Sequence, residues 1–150
     1  MFKNIKKQSG FTIVELLIVI VVIGILAALV ITTFTGIQAK ARDTERTTDI
    51  KALHGQVEAY YAQKGSYPSL ADMNDATWRS TNMKGLDAEA LKDPKGSGQT
   101  LTATAGANTY QYAPLNSSSA SCEADDTTCA SYTLTATLEG GGTFQKKNLN

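Results

Sequence analysis

The residue with the most unusual chemistry in this sequence is Glu15. It lies in residues 11–31, FTIVELLIVIVVIGILAALVI, where every residue except Thr12, Glu15 and Gly24 is apolar. A carboxylate inside a bilayer costs on the order of 2.5–3.5 kcal/mol on insertion scales. The segment offers it no Lys, Arg or His. The chemistry open to such an acid is charge pairing with a cation from outside the span. A cut at Ser9-Gly10-Phe11, between Gly10 and Phe11, would create one. The new α-amino group would stand four residues, about 6 Å, from Glu15 along its own helix. It could also meet Glu15 of a neighbouring, axially shifted copy, so the charge requirement points to an assembly of helices. A protonated, unpaired Glu15 in a lone anchor is the simpler alternative.

The other chemistry-bearing residues point away from catalysis. Cys122 and Cys129 stand in a Ser/Asp/Thr-rich loop, and outside the cytoplasm a disulfide is their expected state. The ring it closes is short, so its stabilisation belongs at the low end of about 2–4 kcal/mol. Two thiols and one remote histidine, His54, make a poor zinc site. His54 adjoins an apolar helical stripe and reads as a boundary residue. Glu123, Asp125 and Asp126 could hold calcium with loop carbonyls, but they read first as a solvated acidic loop. Ser117 to Ser121 has no base placed beside it in sequence. Zinc-protease and phosphate-loop patterns are absent. The reading is therefore no enzyme, no cofactor and no metal.

The elements that must position Glu15 follow from how charge is distributed. The 150 residues carry 14 basic and 14 acidic side chains, a net charge of zero. Lys3, Lys6 and Lys7 fall in the first ten residues with no acid among them, which leaves the remainder at −3. Between Glu15 and Lys40 lie 24 consecutive uncharged residues. As a helix, residues 11–31 span roughly 32 Å, about the thickness of a hydrocarbon core. A buried helix of a soluble domain rarely stays apolar on all faces for this long. The preceding lysines would keep the N-terminus in the cytoplasm and send residues 40–150 outward. An ordinary secretory signal has a shorter apolar stretch and a small-residue cleavage site after it, whereas here the plausible break lies before it. The neutral balance does not suit a dedicated nucleic-acid binder, and Lys146-Lys147 is the only basic doublet past the first ten residues.

From Lys40 the pattern becomes amphipathic. Ile50, Leu53, Val57, Tyr60 and Tyr61 form one stripe at spacings of three and four. Arg42, Asp43, Glu45, Arg46 and Asp49 alternate in sign at helical distances and read as a solvated, weakly paired face. Gly65 is the helix stop, and Pro68 bars continuation. One helix over about 12–64 would be roughly 80 Å long, a length that makes sense if half of it lies in a membrane or a filament core. Residues 69–93 read as a linker with short helical pieces, including a turn over 88–92 capped by Asp87 and stopped by Asp93-Pro94, with Trp78 and Leu86 under it. Strands are predicted over 109–115, 131–138 and 143–147, with 101–105 as a fourth candidate. Gly140-Gly141-Gly142 makes the last turn. The fold class is α+β: a long N-terminal helix, its second half packed on a small antiparallel sheet.

The stretch KKQSGFTIVELLIVIVVIGILAAL resembles the class III signal segment of type IV pilins and pseudopilins. It has the short basic leader, Gly10 before the cut, Phe11 after it, Glu15 five residues into the mature chain, and the long apolar helix. Residues 38–69 are similar to the second half of the family's long helix, which commonly ends at a Gly-x-Tyr-Pro element, matched by Gly65, Tyr67 and Pro68. The resemblance implies a pilin-like fold and a prepilin with a leader over 1–10, a transmembrane and filament-core helix over 11–39 and a globular head over 40–150. It implies cleavage after Gly10 and N-methylation of Phe11 by a prepilin peptidase, with Phe11 and Glu15 acting in assembly. The implied partners are membrane lipid, the inner-membrane assembly machinery, and other copies and related pilins in a helical filament. The implied location is first the cytoplasmic membrane and then the cell surface. A pseudopilin of a secretion or DNA-uptake system and a filament-displayed adhesin or DNA-binding protein are the alternatives. The family often closes a C-terminal loop with a disulfide, usually a longer loop than this one. Thr32 stands where many members carry a proline.

Overall fold

The computed structural model describes residues 10–122 and 127–150. Glu123, Asp125 and Asp126, the candidate calcium loop, lie outside the described residues, as do the leader lysines. The chain divides into two units, residues 1–38 and 39–150.

Helix α1 covers Ile13–Lys64. Its start is a capping box of the form T-x-x-E. The Thr12 backbone N–H donates to Glu15 Oε2 at 2.9 Å, and the Glu15 N–H donates to Thr12 Oγ1 at 3.2 Å. Two helix-start amides that no backbone carbonyl can serve are thereby satisfied. Its end is Gly65, at φ +77°, whose N–H donates to the Tyr61 carbonyl at 2.7 Å. The left-handed conformation there favours glycine, and it turns the chain off the helix.

In the first unit the large apolar side chains of α1, from Ile13 to Ile37, are all exposed. α1 is long and apolar enough to cross a membrane.

In the second unit α1 contributes Ile50, Leu53 and Val57, all fully buried. Two short helices follow, α2 (Leu70–Asn74) and α3 (Ala76–Asn82), then a 3-10 turn over Ala88–Leu91. Each start is capped as its sequence specifies: Ser69 with Asp72 in a second capping box, Asp75 at α3, and Asp87 at the turn. Four strands complete the unit, β1 (Leu101–Thr102), β2 (Tyr110–Asn116), β3 (Cys129–Thr137) and β4 (Thr143–Lys147), in the order β1-β2-β3-β4. β2, β3 and β4 are antiparallel neighbours, with Tyr112 opposite Leu134 and Ala136 opposite Phe144. Leu134 and Ala136 are fully buried, joining Tyr110, Tyr112 and Tyr132 in the core beneath the α1 stripe.

The sheet is mixed, which corrects the antiparallel expectation. β1 runs parallel to β2, pairing Leu101 with Tyr110. A parallel pair normally needs a long crossover. β1 escapes this because it is two residues long and is held on its other side by a side chain. The Asn74 amide donates to the Leu101 carbonyl at 3.0 Å and accepts from the Leu101 N–H at 2.8 Å, imitating a neighbouring strand. The β3–β4 turn places Gly141 and Gly142 at positive φ.

Candidate functional site

The N-terminal site is Gly10, Phe11, Thr12 and Glu15. Gly10 and Phe11 precede α1 in non-helical backbone, and Phe11 is 85% exposed. A Cβ on Gly10 would meet nothing within 4 Å. Glu15 is not without partners in its own chain. The Thr12 hydroxyl donates to Glu15 Oε2 at 2.7 Å, beside the Thr12 N–H bond to the same oxygen. Both contacts land on Oε2, and among the described residues Oε1 accepts none. The helix start thus gives the carboxylate two donors and leaves one oxygen free. This pairing was readable in the sequence, because Thr followed three residues later by Glu ahead of an apolar run is a capping-box signature.

A second charged constellation sits in the head. Arg46 is 1% exposed. Its Nε and Nη2 donate to Asp93 at 2.7 and 3.0 Å in a bidentate fork, and its Nη1 reaches Asp43 at 2.8 Å and Glu139 at 2.9 Å. Glu139 also takes Arg42 at 2.6 Å and Lys95 at 2.8 Å. These cations hold its carboxyl far below the usual range, Arg42 first and Lys95 next. Asp43 accepts the N–H groups of Glu139 and Gly140, each at 2.9 Å. The network ties α1 to the loop after the 3-10 turn and to the β3–β4 turn. The solvated-face expectation for this segment is therefore corrected at Arg46. A buried guanidinium needs several acceptors to repay its lost hydration, and Asp93 and Glu139 come from 47 and 93 residues away. No local pattern could announce them.

His54 is part of a third group. Its Nδ1 lies 2.7 Å from the Tyr132 hydroxyl, which donates to Glu58 Oε1 at 2.7 Å. Tyr67 also donates to Glu58, at 3.3 Å. Burial lowers the His54 pKa, against the pull of Glu58. Among the described residues no three His, Cys, Asp or Glu side chains converge to hold an ion. Cys122 and Cys129 are joined by a disulfide. Both are buried, and the Cys129 carbonyl accepts from the Tyr67 N–H at 3.0 Å, so the bridge lies near the end of α1.

One comparison with known protein families falls on the N-terminal site. The family model described as the prokaryotic N-terminal methylation motif matches residues 5–31. The type IV major pilin protein PilA of Myxococcus xanthus is 38% identical over 66 residues, 44% of this chain and 30% of that one. The type II secretion system core protein G of Vibrio cholerae is 37% identical over 67 residues, 45% of this chain and 46% of that one. The core protein G of Aeromonas hydrophila is 38% identical over 71 residues, 47% of this chain and 50% of that one. The matched stretches cover no more than half the length of these relatives. No solved structure matches the chain with significance. Residues 5–31 match the N-terminal methylation motif, and the chain is similar to a type IV major pilin and to type II secretion core proteins G.

Proposed function

We propose that this chain is a structural subunit of a type IV pilus or related filament. It is made as a membrane-anchored prepilin, cleaved between Gly10 and Phe11, N-methylated on Phe11 and assembled through its apolar helix. The observation that carries this is the first half of α1, whose large apolar residues are all exposed over a stretch of 24 residues without a charge. In water that surface would be strongly unfavourable, so it requires lipid before assembly and other apolar helices after it.

The Thr12–Glu15 cap supports a two-stage role for the carboxylate. Before assembly its Oε2 is satisfied by Thr12, which offsets part of the cost of carrying an acid in an apolar span. Cleavage removes three lysines and creates one α-ammonium group at Phe11. Oε1 of a neighbouring copy is then the acceptor that this ammonium lacks, and only certain axial offsets bring the two together. Glu15 therefore sets register. The head, residues 40–150, is displayed outside the membrane, where the Cys122–Cys129 disulfide is stable. Prepilin peptidase and an inner-membrane assembly machine are the partners this route requires.

The core protein G relatives favour a second reading, a pseudopilin of a type II secretion system. The two differ in filament length. Imaging surface filaments in a strain lacking this chain separates them: loss of long filaments is the pilus result, and unchanged number and length would sink the major-pilin reading. Mass spectrometry of the purified chain tests processing, with a methylated Phe11 expected at its start.

A further inference from the structure

Two arginines of the head, Arg46 and Arg79, are buried, and they differ in how their forks are used. The Nε–Nη2 edge of Arg46 is filled by the Asp93 carboxylate, at 2.7 and 3.0 Å. Arg79 is 7% exposed. Its Nη1 donates at 2.6 Å to the carbonyl of Met73, near the C-terminal end of α2, where helix carbonyls lack an internal partner. Its Nε and Nη2 have no hydrogen-bond partner among the described residues, and Arg79 forms no ion pair there. The acids nearest to it in sequence are engaged elsewhere. Asp72 accepts from Ser69, Asp75 from the Thr77 and Trp78 N–H groups, and Asp87 from the Glu89 N–H.

A guanidinium carries five N–H donors, and a largely buried one must find acceptors for them. The free edge of Arg79 is not sealed in the interior: among the described residues the one buried side-chain polar atom without a partner is Thr135 Oγ1. Arg79 lines a cavity of about 470 Å³, a size that suits a small organic molecule. Met83 and Leu86 give this cavity apolar wall, and Lys84, exposed and without an ion pair among the described residues, adds a second positive charge. One acid stands nearby. The Gln99 amide, also in the lining, donates to Glu89 at 2.6 Å, and Glu89 lies 4.0 Å from Lys92 as well.

We propose that the Arg79 cavity is a binding site for a small organic carboxylate. The free Nε–Nη2 edge takes the carboxylate in the same two-bond fork that Arg46 gives Asp93. A short apolar chain on the ligand rests against Met83 and Leu86. The Met73 carbonyl holds the guanidinium in place before the ligand arrives, so little ordering is left to binding. Charge selects against phosphate. Arg79 and Lys84 against the neighbouring Glu89 leave one positive charge over, which balances a monoanion and not a dianion.

The probe is butyrate, added to the purified full chain in detergent at constant ionic strength. Butyrate is expected to raise the melting temperature in a saturable way, and neither butanol nor inorganic phosphate should match it. Arg79→Lys keeps a cation for the Met73 carbonyl but loses the fork, and should weaken the apparent affinity at least about tenfold. Lys84→Glu alters an exposed side chain, keeps the fold, and should weaken it by about threefold or more. A wild-type response to butyrate no larger than to butanol would overturn the site. So would an Arg79→Lys chain that melts lower yet binds butyrate as tightly as before, since Arg79 would then serve only to cap α2. Phosphate acting as strongly as butyrate would overturn the carboxylate assignment. If Arg79→Lys does not fold, Lys84→Glu decides, and an unchanged affinity there counts against the site. The measurement needs no filament, so its outcome is separate from that of the subunit reading.

Discussion

The two halves of α1 use hydrophobicity in different ways. Over residues 13–38 the apolar residues occupy every face, and none of the large ones is buried by the chain itself. Over residues 39–64 they recur at Ile50, Leu53 and Val57, and all three are fully buried. A periodic stripe specifies one partner in one direction, here the sheet. A surface apolar all round specifies no direction, and its partners must come from outside the chain. Charge follows the same division. In the first half one carboxylate is held by its own helix start; in the second, Arg46 is held by Asp43 one turn away and by Asp93 and Glu139 from distant parts of the head.

This contrast can be broken from either side. A charge in the first half, as in Ile23→Lys, should give the largest effect: filament yield should fall by at least tenfold while the melting of the solubilised head is unchanged, because a central lysine costs about 2.5–3.5 kcal/mol in the span. In the second half, Arg46→Ala should destabilise the head by about 3–5 kcal/mol in chemical denaturation, since Asp93 would remain buried without its cation. Leu53→Ala should cost about 2–5 kcal/mol by opening a cavity under the sheet. Replacing both cysteines, Cys122→Ser with Cys129→Ser, should cost about 2 kcal/mol, visible as a lower melting temperature of the solubilised chain.

The smallest effect sharpens the electrostatic side. Asp49 has a raised carboxyl value of about 6 in the folded head, so between its ordinary value and about 6 the folded state binds more protons than the unfolded. Its contribution to stability is therefore lost as pH rises through 6. Glu139 acts in the opposite sense: its depressed value contributes stability above the ordinary carboxylate range, and that is lost as pH falls. Asp49→Asn should flatten the change in melting temperature between pH 5 and 7 and leave the loss at low pH intact. A variant as pH-dependent as wild type in that window would show that another group is responsible.

Much of this fold is legible in the sequence, and the exceptions share a cause. The Gly65 stop, the Asp87 cap and the strand over 143–147 are all local patterns, and each matches the structure. The strand after Asn108 starts at Tyr110 rather than 109, and the third begins at Cys129, two residues early, because pairing across the sheet sets those ends. The parallel β1 depends on the Asn74 amide, and the buried Arg46 depends on Asp93 and Glu139; both are long-range convergences with no local signal. The Thr12–Glu15 box is different. Its signal is local and present, but an apolar segment draws attention to the missing cation rather than to the neighbouring hydroxyl.

In the proposed filament the first half of α1 is completed by other copies of itself, with Glu15 setting their register. Sheared-filament yield from Glu15→Lys cells measures it most directly, with mass spectrometry confirming that the variant is cut before Phe11. The expected result is a processed chain that remains in the membrane and a filament yield at least about tenfold below wild type. A processed Glu15→Lys chain that assembles at the wild-type level would contradict it.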